Sequence, residues 1–228
     1  MKKICFYVLI SLGIISCTKD NGTSSGGSSI TSISGKIDSW TSGSDKILKA
    51  GFYYTPSDSY YDEFIPLDSS SIDINGNFNL TSLSAPTAKY LMSLDSMLSS
   101  SSSSTDFKAS NHLTKTLMND LHFEVFSKVS GETVGSIQKL YEATSDSTSA
   151  GDFHIGYVYV DRDVSVTGTR TESDGSYTYT STANLSLKAG WNKIVNKVIS
   201  KSYTKETETI SGNEPAGAKW IFSSGYKK

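Results

Sequence analysis

The chain is poor in cysteine, proline, histidine and charge. Its 228 residues include two Cys, four Pro and three His. Charged residues are 19 %, below the roughly 25 % of ordinary domains. Four Pro with 18 Gly exclude a collagen-like or Pro-rich chain. The 21 basic and 23 acidic residues nearly cancel, which excludes a strongly basic nucleic-acid binder. No apolar run reaches the roughly 20 residues that span a bilayer as a helix. With 36 % apolar and 11 % aromatic residues, the chain can still build a core. Ser (43) and Thr (22) are abundant, together more than a quarter of the chain. Length alone fits one or two domains at about 150 residues each.

The N-terminus has the layout of an export signal. Met1-Lys2-Lys3 is a basic start, and Ile4 to Ile15 is a mostly apolar run, too short to span but suited to a signal h-region. The run ends at Ile14-Ile15-Ser16-Cys17. That quartet resembles the bacterial lipobox, which implies removal of residues 1–16 and lipidation of Cys17. Cys5 leaves with the signal, so the mature chain would hold no free thiol, disulfide or thiolate metal site. Without Lys2 and Lys3 the formal charge moves from −2 to −4. Residues 17–29 carry the lipidated Cys and then Gly22 to Ser29, a flexible Gly/Ser/Thr tether by composition. Thr18 follows Cys17 where inner-membrane retention signals place Asp. Lys19-Asp20 is similar to the short Lys-plus-acid signal of surface lipoproteins. The expected location is therefore the outer membrane, lipid-anchored, facing either the surface or the periplasm.

The rest reads as strands: all-β, as antiparallel β-sandwich modules with one or two short helices in the connecting region. Residues 30–86 form a first small β module. Lys46 to Thr55 is rich in aliphatic and aromatic residues, and Asn75-Gly76 lies between Ser71-Ile72-Asp73-Ile74 and Asn77-Phe78-Asn79-Leu80. Asn-Gly between alternating apolar residues predicts a type I′ hairpin, with positive φ at both central positions. Residues 87–120 break the rhythm and read as a helical, Ser-rich connector. Tyr90, Leu91, Leu94 and Leu98 recur at helical spacing, as do Leu113, Leu117 and Leu121, and Ser99 to Ser104 between them predicts an exposed loop. Residues 121–228 return to strands with short turns, an antiparallel meander by pattern. Whether the two β regions pack as one body is open at this level.

Gly35, Ile37 and Trp40, with Gly76, Phe78, Leu80 and Pro86, resemble a recurrent module of bacterial lipoproteins with a transthyretin-like, or carboxypeptidase-regulatory-like, β-sandwich. Tyr157 to Val160, Asp163-x-x-Val166-x-Gly168 and Leu187-Lys-Ala-Gly-Trp-Asn192 resemble the same uncharacterised Bacteroidota-type outer-membrane or surface lipoproteins. The resemblance covers most of residues 30–200 and implies an anchored envelope protein, but carries no activity. A transmembrane barrel fits less well, because the chain has an anchor and lacks an apolar band between aromatic girdles.

Catalytic chemistry is sparse. His112, His122 and His154 form no His-Glu-x-x-His and no close pair, and the last two read as half-buried strand residues rather than zinc ligands. There is no Gly-x-Ser-x-Gly elbow and no phosphate loop. The acid pairs Asp62-Glu63, Asp161/Asp163 and Glu172/Asp174 sit where turns are expected, and turn chemistry explains them. Lys188, Lys193, Lys197, Lys201 and Lys205 read as a solvated or edge strand. Aromatic residues crowd between Phe52 and Phe64, and Tyr60 and Tyr61 are the candidate ligand contacts. Ser96 and Ser147 follow Asp in sites similar to an O-glycosylation acceptor of exported proteins. The expected function is non-catalytic binding or adhesion at the cell surface, with no cofactor and no nucleic acid. The partners would be the membrane, through Cys17, and an unidentified glycan or protein. Alternatives are a periplasmic structural accessory of an envelope complex and a glycan-binding component of a polysaccharide-uptake system.

Overall fold

Alternation sets the first layer. In Lys46–Tyr54 the side chains of Leu48, Ala50 and Phe52 are buried, while Lys49 and Tyr53 on the other face are partly exposed. The computed structural model describes residues 29–56, 61–99, 104–105, 107–142 and 148–225. Cys17, Tyr60 and Ser147 lie outside the described residues. The early strands are β1 (Ile33–Lys36), β2 (Lys46–Tyr54), β3 (Glu63–Ile72) and β4 (Asn77–Leu80). A 3-10 turn at Ala88–Tyr90 leads to β5 (Leu91–Ser93) and one short helix, α1 (Leu94–Leu98). Short strands β6 (Ser104–Thr105), β7 (Lys108–Ala109) and β8 (Lys115–Leu117) follow. The longer strands are β9 (His122–Ser127), β10 (Thr133–Tyr141), β11 (Phe153–Val160), β12 (Val164–Ser173), β13 (Thr178–Leu187), β14 (Gly190–Lys201), β15 (Lys205–Ser211) and β16 (Lys219–Ser224). The fold is all-β and of sandwich type.

The main sheet runs β3-β2-β9-β10-β11-β14-β15-β13-β12-β6, and β1 pairs with β4 apart from it. Strands from residues 30–86 and 121–228 thus share one sheet, since β2 pairs with β9 from Lys46↔Ser127 to Gly51↔His122. Strand β10 is the branch point. Along one edge it pairs with β16, from Gly135↔Ser224 to Leu140↔Lys219. Along the other it pairs first with β9, at Thr133, Gly135 and Ser136, and then with β11, at Lys139, Leu140 and Tyr141. Strands β9 and β11 therefore leave the same edge of β10 and diverge.

Two apolar cores result. The first holds Ile37, Leu48, Phe78, Leu80, Phe123, Val125 and Trp220, closed by Phe153, Ile155 and Tyr157 of β11 and Trp191 and Val195 of β14. The second holds Val164, Val166, Leu185 and Leu187, with Leu94 of α1, Ala109 of β7 and Val160 and Ile194 from the opposite faces of β11 and β14. The β11–β14 pair is a shared wall because alternation sends successive side chains to opposite faces.

Several elements differ from the sequence pattern. The Asn75-Gly76 turn is not type I′. Gly76 has φ +84°, while Ser39 is the one positive-φ non-glycine among the described residues. Gly76 N–H donates to the Asp73 carbonyl at 3.0 Å, and the Asp73 side chain accepts from Asn75 and Asn77 N–H at 2.8 and 2.9 Å. This is a type I turn with Asp first and Gly last. It lets β4 leave β3 and pair with β1 instead. The Leu113–Leu117–Leu121 stripe forms no helix: Leu113 is exposed, Leu117 ends β8, and Leu121 is buried just before β9. Of the serine run, residues 100–103 lie outside the description, and Ser104 joins β6 beside β12. The meander is also interrupted. Strand β15 inserts between β13 and β14 and runs parallel to β13, Thr178↔Lys205 to Asn184↔Ser211.

Gly51 marks a bulge, where the β2–β3 register shifts between Ala50 and Gly51. A Cβ there would lie 2.3 Å from the Ile65 carbonyl oxygen and 2.7 Å from Phe64 Cζ. Backbone cannot yield as a flexible side chain does, so Gly51→Ala is expected to destabilise by about 2 kcal/mol. Urea unfolding midpoints of the two proteins check this.

Candidate binding site

The divergence of β9 and β11 from β10 opens a cleft of about 530 Å³. Asp120 and His122 line it from the start of β9, Gln138 from β10, His154 from β11, Asn196 from β14 and Glu208 from β15. Asp120 lies in the segment between β8 and β9, and the next residue is held by a Leu121 N–H bond to the Tyr157 carbonyl at 2.9 Å. Its carboxylate lies against Gly156 in the middle of β11. A Cβ on Gly156 would fall 2.5 Å from Asp120 Oδ2, so the missing side chain is what admits the carboxylate. Next to it, Asn196 Nδ2 donates to His154 Nε2 at 2.8 Å across the β11–β14 pair.

Burial pushes the Asp120 carboxyl above its ordinary value of 3.8, and the neighbouring His154 and His122 oppose this. Among the described residues no ion pair or hydrogen bond reaches that carboxylate. A half-buried anion of this kind costs stability, because it gives up water without gaining a donor. Replacing it by its neutral isostere removes that cost. Asp120→Asn is expected to raise stability at pH 7 by on the order of 1 kcal/mol. The sign follows from linkage: a carboxyl with a raised folded-state pKa destabilises the fold above that pKa, and the penalty fades as pH falls towards the unfolded value. Wild type and Asp120→Asn should therefore differ in urea midpoint at pH 7 and converge below about pH 4.

One rim of the cleft continues onto the outer face of β3-β2-β9. Tyr53 packs edge-on against Phe64 at 5.3 Å and against His122 at 5.2 Å, and Lys49 Nζ lies 4.1 Å from the Phe126 ring centre. Burial and the Glu124 charge push the Tyr53 hydroxyl up to about 12, so it stays protonated and bonds Glu124. At the other end, Tyr177 donates to Glu206 at 2.7 Å and Tyr179 donates to Glu208, while Lys201 pairs with Glu206 at 2.7 Å.

The residues singled out from sequence fall in different places. Tyr61 is 82 % exposed at the start of the segment leading into β3. The aromatic crowd divides: Phe52 is buried in the first core, and Tyr53 and Phe64 meet on the outer face. Ser96 is exposed on α1, and its neighbour Asp95 contacts His112 Nδ1 at 2.7 Å. His122 and His154 are exposed strand residues, not half-buried ones. The acid pairs divide: Asp161, Asp163 and Asp174 sit in turns, but Glu63 starts β3 and Glu172 lies in β12 paired with Arg170. Asp174 accepts from Ser176 and Tyr177 N–H, Asp163 from Ala189 N–H, and Asp161 from Lys115 N–H. The lysine series lies not on an edge but on and around β14, which is paired on both sides. The register shift between Val198 and Ser200 breaks its alternation. Lys193 and Lys139 both pair with Glu214, at 2.9 and 2.7 Å, and hold its carboxyl below the usual range against the opposing effect of burial.

The motif Leu187 to Asn192 has a structural role. Buried Asn192 accepts from Lys188 N–H at 2.8 Å and donates to the Lys188 and Gly190 carbonyls, which closes the β13–β14 corner. Sequence reasoning missed Asp120, Gln138, Asn196 and Glu208. The available signal was Gly156, a lone glycine inside the alternating run Phe153 to Val160, where a close approach is expected.

No family model, curated protein or solved structure matches the chain. Among the described residues, no group of three or more His, Cys, Asp or Glu is placed to hold a metal ion, and no helix is long and apolar enough to cross a membrane.

Proposed function

We propose that the chain is a non-catalytic binding protein of the cell envelope, anchored through lipid on Cys17 and displayed from the outer membrane, with the β9/β11 cleft as its contact site. The observation that carries this reading is the cleft itself. Several strands bring Asp120, Gln138, His154 and Asn196 to one open depression, and among the described residues no ion pair or hydrogen bond reaches the Asp120 carboxylate there. The signal and lipobox pattern supports the anchor, and the tether after Cys17 would hold the β body away from the bilayer.

Site-specific photocrosslinking on living cells tests the reading. A crosslinking residue at Gln138, exposed in the cleft, should yield discrete adducts. The same residue at Ile74, exposed in the β3–β4 turn, should not. Equal adducts from both positions, or none from Gln138, would overturn the assignment of the cleft as the contact site.

A further inference from the structure

We propose that the cleft receives a primary ammonium group at the carboxylate of Asp120. The inference rests on the cleft being the contact site and adds the chemistry of what enters it.

Three observations carry it. The first is the Asp120 carboxylate, which no described residue bonds or pairs with, set into the wall by the missing side chain of Gly156. The hydrogen-bond donor and positive charge that Asp120 lacks are what an ammonium group supplies. The second is the charge of the surroundings. Asp152, Glu206 and Glu208 line the cleft with Asp120, and its one lining lysine, Lys139, is tied to Glu214 at 2.7 Å. Lys201 pairs with Glu206, while Glu208 bonds the Tyr179 hydroxyl and Glu206, so no described cation pairs with Glu208. A neutral hydroxylated ligand gains little from that field, and an anion is repelled. The third is the flank. Leu140 and Tyr141 line the cleft, and Tyr141 stacks on Phe153 at 5.5 Å, giving apolar surface for the carbon skeleton that carries the ammonium. His154, held by Asn196, stands beside Asp120 in the cleft.

Two matched pairs of probes test it on the full chain in detergent, read by NMR at the His154 ring. One pair is Nα-acetyl-lysine amide and its Nε-acetylated form. The other is glucosamine and N-acetylglucosamine. Within each pair the acetyl group removes the positive charge. At least one free-ammonium member should shift the His154 signals and saturate at millimolar concentration, and its acetylated partner should not. Response to the lysine probe alone points to a peptide or protein side chain, and response to glucosamine alone to an amino sugar. Asp120→Asn should weaken binding about tenfold or more, the size expected for a lost charged hydrogen bond. Gly156→Ala, whose Cβ displaces the carboxylate, should weaken it as well while the strand pairing persists. Equal response to charged and acetylated probes would refute the ammonium assignment but keep the cleft as a contact site. Absence of any response to the four probes would refute the ammonium assignment, and the Gln138 crosslinks would then decide separately whether the cleft is used at all.

Discussion

Trp220→Ala is expected to cost about 4 kcal/mol, the usual range for emptying a buried aromatic site. Trp220 is 4 % exposed on β16 and stands where three parts of the first core meet. Its ring lies 5.2 Å from Phe78 of β4, 5.1 Å from Phe123 of β9 and 6.4 Å from Tyr157 of β11. Its backbone carbonyl accepts from Asp38 N–H at 2.7 Å, which ties the end of β1 to β16. The indole also covers Gly35, where a Cβ would lie 2.4 Å from Nε1. Truncation would remove the ring that packs Phe78 of β4 against β16 and β9. Such a loss is a large share of the 5–15 kcal/mol that folded domains possess. Urea unfolding should show a much lower midpoint, and an unchanged midpoint would mean that β1–β4 packs independently of β16.

Cys17→Ala is expected to abolish lipid anchoring of the mature chain. Each buried methylene of an acyl chain contributes about 0.8 kcal/mol, and stable anchoring needs more than one chain. The h-region is too short to serve as a membrane span in its place. Fractionation of cells should move the variant out of the membrane pellet or leave it as an unprocessed precursor. A variant that stays with the outer membrane as a mature chain would show that something other than Cys17 holds it.

The strands were legible because alternation is written plainly in segments such as Lys46–Tyr54 and Phe153–Val160. Their partners were not. The insertion of β15 depends on β13 and β14 parting beyond the Lys188–Asn192 corner far enough to admit it at Asn184 and Val195, which no local pattern encodes. The Asn75-Gly76 turn was visible as a turn, but its type was set by Asp73, whose side chain binds two backbone N–H groups and favours the type I geometry. The leucine stripe at 113, 117 and 121 imitates a helix because strand ends and loops also place leucines four apart. The candidate site was the least legible part. Its residues come from β9, β10, β11, β14 and β15 and meet only because β9 and β11 part along one edge of β10. Only Gly156 hinted at it, and a glycine in a strand says that something approaches closely without saying what.

The proposal of a Cys17-anchored β body displayed outside the cell can be checked in one labelling experiment. Cells would be grown with a clickable palmitate analogue, treated intact with protease, and examined for where the lipid label migrates. Label is expected to start on the full-length mature chain and to move, on intact cells, to a short N-terminal fragment. A chain that never takes the label, or a labelled chain that stays whole until the outer membrane is ruptured, would contradict it.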